Sequence, residues 1–172
     1  TTCANCQPNE NILIVTDTDS LEIGMALWDA AEEFPKKTMV MMEPRKMHGE
    51  EPTPLVAAAM LKADVIFRAT KFSLSHSHAR RDACAAGARD LNCCDYSIEM
   101  LEHGGLYTDF EADRKYVDQL LKSMADGDQV HITSEAGTDY YASIKGHKLF
   151  PQYGMVRNPG ETCSPPDIEM AS

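Results

Sequence analysis

The segment "FSLSHSHARR", residues 72–81, concentrates groups that can do chemistry. His76 and His78 lie two apart among three serines, directly before Arg80 and Arg81. Imidazole exchanges protons near neutral pH and also ligates zinc and iron, so the segment reads as an acid/base site, a metal site or the polar opening of a helix. Histidines at i and i+2 do not share a helix face, and joint chelation would need extended backbone. In the plainer reading Ser75 or Ser77 caps the next helix, one histidine is solvated and the other bonds backbone. Arg80 and Arg81, at a helix N-terminus, have the fork geometry to hold a carboxylate or phosphate, or to pair with local acids.

Further candidates fall at corresponding places along the chain. Asp17 and Asp19 follow one apolar run and suit loop-closing turns. Glu43, His48, Glu50 and Glu51 follow a second, Lys71 with the histidines a third, and Asp95 with Tyr96 a fourth. The six cysteines (Cys3, Cys6, Cys84, Cys93, Cys94, Cys163) are too sparse for a disulfide scaffold and read as reduced thiols. "CANC" at 3–6 has CxxC spacing, yet no second CxxC completes a four-thiolate site; the pair reads as two cysteines one turn apart at a helix end. No Walker loop, GxGxxG, GxSxG or HExxH occurs, so nucleotide cofactors and the common hydrolase signatures lack support.

These residues need elements to position them. "ILIV" (12–15), "TMVMM" (38–42) and "DVIFRAT" (64–70) are short apolar, β-branched runs that fit buried strands, and "ARDLNCC" is a weaker fourth. Between them, Leu21, Met25, Trp28 and Ala31 recur at helical spacing behind Ser20 as cap. Thr53 and Pro54 open "LVAAAMLKA", and "HARRDACAAGA" ends at Gly87. "SIEMLEHGG" adds a short helix. Such alternation implies an α/β fold: an open, mostly parallel, doubly wound sheet with helices on both faces. Ligands of such sheets bind beyond the carboxyl ends of the strands, where the carboxylates, the histidines, Lys71 and Tyr96 above lie. Val117, Leu120, Leu121 and Met124 then mark an amphipathic helix. "DQVHITS" and "DYYASIKG", joined through "EAGT", form a hairpin, and the Pro/Gly-rich remainder after Lys148 reads as linker. The expected division is an α/β domain over 1–126 and a hairpin with linker over 127–172.

The whole chain has 172 residues, 43% hydrophobic and 25% charged, an ordinary globular balance. With 16 Lys plus Arg against 27 Asp plus Glu, the net charge of -11 argues against nucleic acid as a partner. The apolar runs are too short to span a bilayer and no secretory leader opens the chain, which favours a cytoplasmic location without membrane attachment. Thr1 in place of an initiator methionine and the abrupt stop at "SPPDIEMAS" lead us to expect a fragment or a processed chain.

"ILIVTDTDS", the block from "MHGEEPTPLVAAAM" through "KFSLSHSHARRDACAAGAR", "ITSEAGTD" and "PGE", in this order, resemble the M29-like aminopeptidase family, which includes 2,5-dihydroxypyridine ring-opening dioxygenases. The resemblance spans about residues 8–172 and is most specific over 48–89. It implies an N-terminal α/β half whose missing C-terminal domain, or a second chain, supplies most ligands of a divalent metal, zinc or iron. His76 matches the histidine of the family's S-x-S-H segment and becomes the catalytic acid/base candidate. Glu169 is similar to the glutamate of an LP-x-x-E segment and becomes a possible metal ligand, although "SPPDIE" departs from that pattern. His48, His78 and Arg80 become substrate-binding candidates. The leading expectation is a metal-dependent hydrolase acting on a peptide or small molecule, within a homo- or hetero-oligomer. The second is a mononuclear iron ring-cleaving dioxygenase, and the third a non-catalytic binding or assembly subunit.

Overall fold

The computed structural model describes residues 2–171. Along the chain come β1 (Ile12–Asp17), α1 (Leu21–Ala30), β2 (Lys37–Met42), α2 (Pro54–Met60), β3 (Val65–Ala69), α3 (His78–Ala85), β4 (Arg89–Asn92) and α4 (Ile98–Glu102). They are followed by α5 (Phe110–Met124), β5 (Gln129–Thr133), β6 (Asp139–Ser143), β7 (Phe150–Tyr153), β8 (Thr162–Cys163) and β9 (Ile168–Ala171). They fall into two compact units, one running up to Thr108 and taking in Gly154–Pro166, the other Asp109–Tyr153 with the residues from Asp167 on.

The first unit is the expected α/β sheet. Its strand order is β2-β1-β3-β4-β8, all pairs parallel, and the winding reverses between β1 and β3. Period-2 side-chain direction sorts the core onto two faces. Leu13, Val15 and Ile66 pack with Val56 and Met60 of α2 and Ala79 and Ala83 of α3. On the opposite face Ile12, Val65 and Leu91 meet Ala31 and Phe34 just beyond α1. Ala69 and Cys93 meet Ile23 of α1, with Ile98 and Leu101 of α4 against them. Both faces are thereby covered, which parallel strands require.

The helix starts differ in part from expectation. Pro54 occupies the first turn of α2 as expected, but neither Ser20 nor Thr53 caps with its side chain. Asp17 takes that place at α1, its Oδ1 accepting from the Ser20 N–H at 2.9 Å. Gly87 leaves α3 with φ +108, the left-handed exit that favours glycine. Cys3 and Cys6 lie in turn and coil, packed half-buried against the core, instead of at a helix end.

The second unit holds α5, the antiparallel hairpin β5–β6 and the antiparallel pair β7–β9. α5 packs on β7 and β9, so the expected boundary after residue 126 falls within this unit. The segment after Lys148 is more ordered than a linker. Pro151 is accommodated because β7 pairs on one side only. β8, two residues long between proline-rich turns, joins the first unit's sheet beside β4.

Candidate functional site

At the carboxyl ends of β1 and β3, where the winding reverses, lies a buried carboxylate. Asp17 is fully buried; its Oδ2 accepts from the Lys71 N–H at 2.7 Å, while Oδ1 holds Ser20. Both oxygens therefore serve the backbone, a structural role in keeping with the turn reading. Above it Lys71 Nζ meets Asp95 at 2.7 Å, and both side chains are exposed. Hydrogen bonding to Asp95 raises the Lys71 ammonium, and the same bond lowers the Asp95 carboxyl. Asp95 sits in the left-handed region, at φ +56, with its N–H on the Thr70 carbonyl.

The loop from Phe72 to Ser77 alternates its side chains. Leu74 is fully buried as a plug into the α2/α3 face. Ser73 and Ser75 join hydroxyls at 2.8 Å, and Ser75 Oγ also accepts from Arg68 Nη2 at 3.2 Å. Arg68, with no exposed surface, is held bidentately by Asp90 at 2.6 and 2.8 Å, and it reaches Asn92 Oδ1 at 3.2 Å. Thr162 Oγ1 donates to the same Asp90 at 2.6 Å, binding β8 into the network. Ser77 caps α3, accepting from the Arg80 N–H at 3.2 Å and donating to the Leu74 carbonyl at 2.7 Å. Glu51 adds a charged cap, taking the N–H groups of His78 at 2.5 Å and Ala79 at 3.1 Å. Those backbone bonds, that to His78 foremost, lower its carboxyl.

The sequence candidates separate within this frame. His76 is exposed, and among the described residues its ring makes no hydrogen bond. His48 docks on the same loop: its Nδ1 accepts from the Ser73 N–H at 3.1 Å, and its ring meets Phe72 edge-on at 5.3 Å. That bond fixes the neutral tautomer and leaves Nε2–H as the available donor. The adjoining Gly49 N–H bonds the Ser73 carbonyl at 2.7 Å. His78 is engaged by Arg81 Nη2 at 2.9 Å, and Arg80 spends Nε and Nη2 on the Ser75 carbonyl at 2.8 and 2.6 Å. Glu169 lies in the second unit, exposed on β9 opposite Gln152. Among the described residues no three His, Cys, Asp or Glu side chains converge as a metal site would require. The chain's own donors thus do not fit a complete metal centre. Burial raises the thiols of Cys3 and Cys6, and pushes Cys93 up to about 12, the opposite of what reactive or metal-binding cysteines need.

Arg68, Asp90, Asn92 and Ser75 form the network behind His76, and sequence reasoning missed it. The available signal was an arginine inside the apolar run "VIFRA" and an aspartate inside "RDLN", opposite charges on strands expected to be neighbours.

Residues 2–167 match the family described as NicX: 2,5-dihydroxypyridine 5,6-dioxygenase. The chain belongs to this family. In fold it is similar to the 2,5-dihydroxypyridine dioxygenase of Pseudomonas putida KT2440, with a TM-score of 0.74 at 18% identity over 95% of this chain. It spans 50% of that chain's length. No curated protein matches. The NicX family match favours the dioxygenase branch of the resemblance and gives the aminopeptidase branch no support, so the expectation of a hydrolase gives way to the reading placed second. Among the described residues no helix is long and apolar enough to cross a membrane.

Proposed function

We propose that the chain is the N-terminal α/β half of a ring-cleaving dioxygenase for a hydroxylated nitrogen heteroaromatic, and that His76 is its acid/base group. The observation that carries this reading is an imidazole without hydrogen-bond partners on a clamped loop at the exit of β3, in a chain matching the NicX family over residues 2–167. Opening a dihydroxylated ring requires a hydroxyl proton to leave and a proton to return to the product. Imidazole is suited to both transfers near neutral pH. His48, with Nδ1 committed to Ser73, has Nε2–H to donate to a ring oxygen. His78 and Arg80 were candidates for the same task, but their partners Arg81 and Ser75 make His48 the better substrate-binding group. The divalent metal of such an enzyme, iron on this reading, would take its ligands from outside these residues, in a C-terminal domain or a second chain.

The test is a His76→Ala substitution in the complete protein, assayed by oxygen uptake with 2,5-dihydroxypyridine. Turnover is expected to fall by roughly 10²–10⁴-fold, as for loss of a general acid/base. Unchanged turnover would remove His76 from the mechanism.

A further inference from the structure

The peptide carrying His76 is held from several directions. Arg80, in the first turn of α3, reaches back to the Ser75 carbonyl with Nε at 2.8 Å and Nη2 at 2.6 Å. That carbonyl belongs to the peptide bond joining Ser75 to His76. Arg68 holds the Ser75 hydroxyl at 3.2 Å from within the sheet and is itself locked on Asp90. Gly49, at φ +84, lies on the other flank, where even an added Cβ would make only ordinary contact with His76 Cβ, at 3.4 Å. The peptide that enters His76 is thereby held at the Ser75 carbonyl, although the His76 ring is exposed. A planar guanidinium giving two donors to one oxygen is a stiffer strut than an ammonium. Because an imidazole occupies only a few staggered rotamers, holding the peptide before it sets the directions in which the ring can point.

We propose that Arg80 is a positioning residue for His76. It aims the imidazole by gripping the Ser75 carbonyl and does not itself bind substrate. The inference rests on His76 being the acid/base group proposed above. His78 supplies an internal control, because its ring is held by Arg81 and not by Arg80.

The experiment is NMR of the histidine-labelled chain as wild type, Arg80→Met and Arg80→Lys, with circular dichroism to follow folding. In Arg80→Met the His76 ring and amide signals should shift and gain fast motion while the His78 ring stays as in wild type. Arg80→Lys, retaining one donor, should recover part of the wild-type signature. Unchanged His76 signals in a folded Arg80→Met variant would overturn the proposal. So would equal loosening of both histidines, or failure to fold, since either makes Arg80 a general brace. In the complete protein with 2,5-dihydroxypyridine, Arg80→Met should lower kcat by about 10–100-fold, the cost of a misplaced group, with little change in KM. A rise in KM with kcat intact would make Arg80 a substrate-binding residue instead. If His76→Ala leaves turnover unchanged, the acid/base reading fails, and the NMR result still decides whether Arg80 orders His76.

Discussion

Ser77 decides where α3 begins, and with it where the His76 loop ends. Its hydroxyl is buried and caps the helix, so Ser77→Ala should cost about 1 kcal/mol in urea unfolding, and a neutral result would contradict the cap assignment. Glu51 supports the same turn by charge. Its folded-state carboxyl titrates below the ordinary glutamate value, so its stabilisation is complete above that value and is lost as pH falls through the lowered folded value. Glu51→Gln should therefore lower stability at neutral pH, and the difference from wild type should close on acidification. A gap that stays constant with pH would exclude this account. Asp90 carries larger consequences, because it is the bidentate partner of an arginine with no exposed surface. Asp90→Asn should destabilise the chain by about 3–5 kcal/mol, the cost of leaving a buried charge unpaired, measured by equilibrium unfolding. A loss comparable to that of a surface ion pair would mean that water reaches Arg68.

At the level of elements, α1 lies close to β1 because Gly24 faces Thr16. A Cβ at position 24 would come within 2.8 Å of Thr16 Oγ1 and 2.9 Å of its Cβ. Thr16 is fully buried, with its hydroxyl on the Ser20 carbonyl at 3.2 Å, and has little freedom to give way. Gly24→Ala should thus be destabilising by about 1–3 kcal/mol through overpacking, even though alanine is the better helix former. A thermal melt showing stabilisation would mean that α1 can shift outward. The strands of the parallel sheet were legible because buried parallel strands are short unbroken apolar runs, as "ILIV" and "TMVMM" are. Pro54 and Gly87 likewise announced their helix ends through fixed and left-handed φ. β7, β8 and β9 were illegible because pairing on one side or over two residues leaves no hydrophobic period, and the prolines nearby signal loop. The histidine loop was legible as a place. Its wiring was not, since Arg68 meets Asp90 and Ser75 only after β3 and β4 have paired.

For the molecule as a whole, the parallel sheet brings the candidate residues of the first unit to the carboxyl ends of its strands. The chain spans half the length of the dioxygenase it is similar to in fold, and among the described residues no metal-ligand cluster forms. On the proposed reading, this chain would supply the proton-transfer side of a shared site, with the metal held by residues beyond it. The most direct measurement is purification of the protein from its native source, followed by iron analysis and oxygen uptake with 2,5-dihydroxypyridine. Bound iron together with oxygen consumption that depends on the dihydroxypyridine, in a preparation containing this chain, is the expected result. A metal-free preparation that leaves both oxygen and the dihydroxypyridine untouched after iron(II) is supplied would contradict it and make the chain a binding or assembly subunit.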